Sequence, residues 1–220
     1  FDGPPDPKAL LSWVSLVLLT SGYAIKSGIA PFHSWLPDAY ESADTAISIM
    51  LSGIVTKIAG VYSIIVLVRL FPGNIALKIT LLVLGLFTIV VGALLALKQQ
   101  NFKRVAAYSS VSQMGYLLLG LAADTRLGLI AALLYLLTHA LAKSTLFTNA
   151  AALEKRLGTL NLDEMGGLQE KMPMTAFSSV VALLSLAGVP PLAGFWSKLL
   201  VLIALWSAGL RGVAAVALIL

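Results

Sequence analysis

Long apolar stretches that follow one another closely are the feature of this sequence that most restricts its fold. Two of them, Thr45 to Leu70 and Ile75 to Leu97, are longer than the about 20 apolar residues that a helix needs to cross a bilayer. A membrane-spanning strand is only about 10 residues long and alternates apolar with polar side chains. The stretches therefore predict an all-α, polytopic bundle of transmembrane helices.

The remaining spans are separated by short polar linkers such as Phe71 to Asn74 and Lys98 to Asn101. Phe1 opens the chain without an initiator Met and Leu220 closes it inside an apolar stretch, so we expect a fragment of a longer protein. The other expected spans are Leu10 to Ile29, Val105 to Leu121, Leu127 to Leu153, Thr175 to Ser207 and a truncated one from Val213.

Composition excludes several classes of protein. The chain is 59% hydrophobic and 11% charged, whereas soluble domains are about 45 to 50% apolar and about 25% charged. It has no cysteine and only two histidines, so we expect no metal, iron-sulfur or other cofactor site. The basic residues are scattered among the spans rather than gathered in one stripe, which argues against nucleic acid as a partner.

The positive charges also bear on orientation and location. If the spans alternate, Lys98, Lys103 and Arg104 form the strongest basic cluster, and its side of the membrane is expected to be cytoplasmic. We expect a multi-pass protein of a bacterial or archaeal cell membrane or of an organellar inner membrane.

Two spans are interrupted in the same way, since each runs from glycine through proline to an aromatic pair. Proline removes a backbone donor and clashes with the preceding turn, so each motif should end one helix and start another. Matched breaks are typical of transporters built from internal repeats, although a proline kink can also serve packing alone. The residues that define the breaks are Gly28 and Pro31 in the first, and Gly188, Pro190 and Pro191 in the second.

Ionisable side chains occur where lipid is expected. Lys57 lies about a dozen residues from either end of its span, beyond the reach of a snorkelling side chain. His139 and Lys143 share one helix face because four residues separate them, while Lys26 precedes the first break and Lys198 follows the second. A lysine at mid-membrane costs about 2.5 to 3.5 kcal/mol on insertion scales, so these groups should share a hydrated, protein-lined interior.

Such a row of groups can pass protons. Burial favours the neutral form of a lysine and a nearby charge shifts that balance, while histidine titrates near neutral pH without help. We therefore predict a proton relay, with hydrogen bonds to freed helix carbonyls as the structural alternative for each lysine. For His33, a solvated or capping role is as consistent with the sequence as a functional role. Asp44 is expected to cap the helix that starts at Thr45.

Five stretches of this chain resemble the antiporter-like subunits of respiratory complex I, the Mrp-type cation/proton antiporter subunits and the membrane arms of energy-converting hydrogenases. The similarity runs in order over nearly the whole chain. The stretches are Lys26 to Tyr40, Leu51 to Lys57, Phe102 to Tyr116, Thr138 to Lys143 and Gly188 to Lys198.

The resemblance implies inverted five-helix repeats, each with one discontinuous helix. Residues 1–70 would end the first repeat and 71–220 would form most of the second. Lys26 and Lys57 would match lysines of the first repeat, His139 and Lys143 the linking pair, and Lys198 the terminal site. The glutamate that pairs with the first lysine lies on an earlier helix in the family, and Ala43-Asp44-Thr45-Ala46 replaces the usual Ala-Pro-Thr-Pro.

The function implied is a proton-translocating, non-redox subunit of a redox-driven pump, whose partners are other membrane subunits and the lipid bilayer. Two alternatives stay open, namely a subunit of a stand-alone sodium/proton antiporter and a structural subunit without its own ion path. Lysine and histidine provide no oxygen cage for sodium, which favours protons.

The second break carries a specific prediction. Thr175 to Ala187 and Phe195 to Ser207 should be two half-helices, with Lys198 in the first turn of the second one. The positive end of that half-helix would oppose an ammonium group there, so Lys198 should be well placed to hand over a proton.

Overall fold

The computed structural model describes residues 7–219, so Phe1 and Leu220, the two ends on which the fragment hypothesis rests, lie outside the described residues. Within that range the chain forms helices connected by short loops. The first part comprises α1 (Pro7–Ser27), α2 (Trp35–Ser42), α3 (Thr45–Met50), a π-helical segment (Leu51–Tyr62) and α4 (Ser63–Leu70). The second comprises α5 (Ile75–Leu97), α6 (Phe102–Ala122), α7 (Arg126–Leu157), α8 (Leu168–Lys171), α9 (Pro173–Ala187), α10 (Ala193–Ser207) and α11 (Arg211–Ile219).

Four of the expected spans are confirmed with small changes at their ends. Four of them are long and apolar enough to cross a membrane, judged over the described residues: Thr45–Leu70, Ile75–Leu97, Phe102–Ala122 and Arg126–Leu157. The helices α9 and α10 are shorter, at 15 residues each. The chain is thus an integral membrane protein that crosses the bilayer several times.

Local sequence explains where the helices begin and end. Asn74, Asn101 and Thr125 cap α5, α6 and α7 by accepting hydrogen bonds from backbone N–H groups. Asp44 accepts from the N–H of Ala46, which confirms its predicted capping role. The helix α7 ends at Gly158, whose φ of 72° is easily adopted only without a side chain.

Helices α5 and α6 pack against each other through small residues. A Cβ on Gly92 would lie 2.3 Å from the backbone nitrogen of Ser112, and one on Gly115 would lie 2.4 Å from the carbonyl oxygen of Gly85. The Ser112 hydroxyl also donates to the carbonyl of Ile89, at 3.1 Å. This close contact makes α6 a fixed central helix, against which α7 and α10 also pack.

One end of the bundle, where α6 begins and α7 ends, carries ion pairs; we call it the polar end. Lys103 donates to the carboxylate of Glu154 at 2.9 Å, and the Lys103 side chain is only 6% exposed. Arg104 bridges Asp38 at 3.0 Å and Glu41 at 2.7 Å. These contacts tie α2, α6 and α7 together at the membrane face that carries the basic cluster.

Candidate proton-transfer site

Lys57 lies in the π-helical segment between α3 and α4. Its side chain is buried, and its Nζ approaches the sulfur of Met114 on α6 at 3.7 Å. A thioether is a weak acceptor, so this contact does little to compensate a buried ammonium. π-Helical turns are rare and often occur at functional sites.

Lys143 lies on α7 and is fully buried. Its Nζ donates to the carbonyl oxygen of Ala106 at 2.7 Å and to the hydroxyl of Ser109 at 2.5 Å. The same carbonyl also accepts from the hydroxyls of Ser109 and Ser110, each at 3.0 Å. One turn of α6 thus serves as the acceptor for Lys143, and both acceptors are neutral.

His139 lies one turn before Lys143 on the same face of α7, as its spacing predicts. The residue is 1% exposed, and neither ring nitrogen has a hydrogen-bond partner among the described residues. Buried polar groups are normally paired, so an unpartnered imidazole points to a role beyond packing. A charge on Lys57, Lys143 or Lys198 would act on this ring.

Lys198 lies on α10, beside the second break. Its Nζ donates to the carbonyl of Ala187, the last residue of α9, at 3.3 Å, and lies 4.5 Å from the centre of the Tyr116 ring. The expectation that Lys198 occupies the first turn was wrong, because α10 begins at Ala193 rather than Phe195 and Lys198 falls in the second turn. The helix-end field on its amine is correspondingly weaker, since that field falls off within the first turn.

The backbone between α9 and α10 is satisfied by protein groups. Gly188 has a φ of 86°, and its N–H donates to the carbonyls of Leu184 and Ser185. The N–H of Gly194 donates to the hydroxyl of Ser185 at 3.2 Å, and a Cβ on Gly194 would lie 1.7 Å from the Ser185 carbonyl oxygen. Only glycine permits this approach of the two helix ends.

The region of Gly28 and Pro31 is organised similarly, but it does not bring Lys26 into the buried group. Trp35 donates from its indole nitrogen to the carbonyl of Ile25 at 2.8 Å, and the N–H of Ala30 donates to the hydroxyl of Thr88 at 3.2 Å. Lys26 itself is exposed on α1. The part predicted for it in the relay therefore stays a prediction.

Three polar side chains near the lysines were not anticipated from the sequence. Tyr135 donates from its buried hydroxyl to Gln113, and the rings of Tyr135 and Tyr116 stack with their centres 6.1 Å apart. A signal for Tyr135 was available, since it precedes His139 by four residues and so shares its helix face. Gln113 and Tyr116 could be recognised only once α6 was placed against α7.

Known proteins similar to this chain are subunits of oxidoreductases and dehydrogenases. The NAD(P)H-quinone oxidoreductase subunit 2 of Synechococcus elongatus is 37% identical over 99% of this chain and 42% of its own length. The F(420)H(2) dehydrogenase subunit M of Methanosarcina mazei is 38% identical over 90% of this chain and 40% of its own length. The chain thus spans about two fifths of the length of these relatives.

A solved structure agrees with these sequence matches. A chain in the structure of the Mrp complex from Dietzia sp. superimposes with a TM-score of 0.89 at 36% identity, over 94% of this chain and 39% of that one. The family described as NADH:quinone oxidoreductase/Mrp antiporter, TM, matches residues 7–220. The order of spans, the motifs and the fold all agree with that match, and this chain belongs to the family of NADH:quinone oxidoreductase and Mrp antiporter transmembrane subunits.

Proposed function

We propose that this chain is the relay-bearing part of a proton-translocating membrane subunit in a redox-driven pump. Protons would pass along Lys57, Lys143, His139 and Lys198. The observation that carries the proposal is a set of basic groups without a bound carboxylate in the described part of the chain: the buried amines of Lys57 and Lys143, the unpartnered imidazole of His139 and the partly buried amine of Lys198.

The arrangement suits a relay because its members cannot all be charged together. A charge on Lys57 would act on Lys143, and a charge on either lysine would act on His139. In a medium of low dielectric constant, like charges at these positions repel strongly. A proton on one group therefore disfavours a proton on the next, so that arrival of a proton at one position promotes release at another.

The neutral acceptors around the lysines support the same conclusion. The carbonyl of Ala106 and the hydroxyl of Ser109 can hold Lys143 as an ammonium, and the hydroxyl can also donate to the neutral amine. A carboxylate in their place would fix the charged form. Lys26 would serve as the group at which protons enter. The family resemblance implies a glutamate on an earlier helix that would pair with it.

Redox coupling is supported by the names of two relatives, a quinone oxidoreductase subunit and a dehydrogenase subunit. The similarity to the Mrp complex supports a second candidate, a subunit of an antiporter without a redox partner. In both cases the chain would work beside other membrane subunits, with residues 1–70 and 71–220 belonging to successive repeats.

The test is charge removal in the intact complex, reconstituted in lipid vesicles. Lys57→Met and Lys198→Met should each lower the proton flux at least tenfold, because each removes one proton-carrying group while keeping an unbranched side chain of similar length. Lys155→Met is the matched control, since Lys155 is exposed at the end of α7. Assembly is checked by the yield of intact complex.

Full pumping by both interior variants, with normal assembly, would rule out the relay and leave the structural role. Measuring the flux with and without sodium separates a proton pump from a sodium/proton antiporter. The relay has no cluster of oxygen ligands, so we expect transport to persist without sodium.

A further inference from the structure

Two stripes of side chains face each other between α6 and α7, and together they form what we call the polar seam. On α7 the stripe consists of Lys143, His139 and Tyr135, at intervals of four residues. Such intervals place side chains one above another on a helix. On α6 the facing stripe consists of Ser109, Gln113 and Tyr116, at intervals of four and three residues.

Contacts across the seam are formed at both of its ends. At one end Lys143 donates to Ser109. At the other, Tyr135 donates to Gln113, Tyr135 stacks on Tyr116, and Lys198 lies over the Tyr116 ring. The polar contacts therefore continue beyond α7 to α10, where Lys198 is located.

His139 occupies the turn between these two ends. Its neighbours along α7 are Lys143 on one side and Tyr135 on the other, each about 6 Å away between Cβ atoms at this spacing. Its ring nitrogens are unpartnered. The nearest hydrogen-bonding group towards Lys198 along this stripe is the hydroxyl of Tyr135, which is already paired with Gln113.

We propose that Tyr135 and Gln113 are the hand-over groups between His139 and Lys198, an inference that rests on the proton relay proposed above. A hydroxyl and an amide can each donate and accept a hydrogen bond, so the pair can hold bridging water in either direction. Phe and Leu are similar in size to Tyr and Gln, so side-chain volume alone does not require polar residues here. The buried Tyr135 hydroxyl and the partly buried Gln113 amide incur a desolvation penalty, which their hydrogen bond offsets.

The proton balance is simple. The imidazolium of His139 releases one proton to the Tyr135 oxygen, which at the same time passes its own proton through bridging water to the neutral amine of Lys198, while Gln113 orients the chain by hydrogen bonds without taking up the proton. At the end His139 is neutral, Lys198 is an ammonium, and Tyr135 and Gln113 are chemically unchanged. The ring of Tyr116 stabilises the new charge by a cation–π contact.

The experiment uses Tyr135→Phe, Gln113→Leu and the double variant in the intact complex, reconstituted in vesicles. Each single change should lower the proton flux about tenfold, and the double change should lower it no further, because the two groups act as one unit. Residues in contact also couple when their role is merely structural, so the solvent deuterium isotope effect on the flux is the readout that a structural role would leave unchanged. We expect that isotope effect to rise in each variant, as the hand-over step becomes slower.

Tyr40→Phe is the matched control, since it also removes one buried tyrosine hydroxyl, the one that is 3.3 Å from Thr56. We expect it to retain the flux of the parent. A Lys143→Met arm separates the two proposals. If Lys143→Met abolishes the flux and Tyr135→Phe does not, the hand-over assignment is wrong and the relay stands; if Lys143→Met is active, the relay itself is wrong.

Discussion

At the polar end of the bundle, Lys103 and Arg104 contact carboxylates. In the interior, Lys57 and Lys143 contact only uncharged groups among the described residues. Lys103 binds Glu154, and it does so although its own side chain is nearly as buried as those of Lys57 and Lys143. Lys57 instead meets a thioether, and Lys143 a carbonyl and a hydroxyl. Burial alone therefore does not distinguish the two regions.

The difference lies in what fixes the charge. A lysine beside a carboxylate keeps its proton because the pair stabilises the ammonium, and such a lysine serves as a structural tie. A buried lysine among neutral acceptors can exist in either form, which is what a carrier of protons requires. The two regions thus differ in whether the group beside a buried lysine carries a charge, and this difference can be tested.

The largest effect is expected from giving the interior a carboxylate. Met114→Glu places one beside the Nζ of Lys57, now 3.7 Å from the Met114 sulfur, and the resulting ion pair should hold the proton and lower the proton flux at least tenfold. The flux is measured in reconstituted vesicles. Met114→Gln has a side chain of the same length as Met114→Glu but no charge, so it should keep more of the flux. Equal transport by the parent and by Met114→Glu would show that transport does not depend on keeping carboxylates away from Lys57.

A moderate effect on stability, but not on transport, is expected at the polar end. Glu154→Gln leaves Lys103 with a neutral partner, which should lower stability by about 1 kcal/mol because a charge-assisted hydrogen bond becomes a weaker one. The thermal unfolding midpoint of the detergent-solubilised complex measures this. Glu170→Gln, at an exposed carboxylate, is the control. A large loss of proton flux in Glu154→Gln would place this pair within the transport path instead.

The smallest effect is expected from Arg104→Lys. A lysine cannot reproduce the fork by which Arg104 contacts Asp38, Glu41 and the side chain of Gln99 together. Both carboxylates are partly exposed, so the loss should be a few tenths of a kcal/mol. Unfolding at low and high salt checks this, since the difference between parent and variant should shrink as salt screens the pairs.

Much of the fold could be predicted from the sequence because apolar length and helix caps are local properties. The spans Thr45–Leu70 and Ile75–Leu97 begin and end where expected, and Asp44 caps as predicted. The π-helical geometry within Leu51–Tyr62 was not foreseen, since its apolar composition fits an α-helix equally well. The position of Lys198 was wrong by one turn because helix α10 starts directly after the prolines.

The site was predictable in part, for a related reason. Lys57, His139 and Lys143 stand out as ionisable residues inside apolar spans, and their burial follows from that. Lys26 has the same sequence context but lies on an exposed face of α1, and one sequence cannot tell which face of a helix meets its neighbours. The pairing of Tyr135 with Gln113 depends on the register between α6 and α7, which is a property of packing rather than of either segment.

The glycine contacts between α5 and α6 have a mechanical consequence. Where backbones touch without intervening side chains, a helix can neither slide nor rotate by a fraction of a turn without steric overlap. The contacts of Gly92 with Ser112 and of Gly115 with Gly85 thus hold the two helices in a fixed relative position. If the proposed transport involves helix movement, α5 and α6 would therefore move together as one unit.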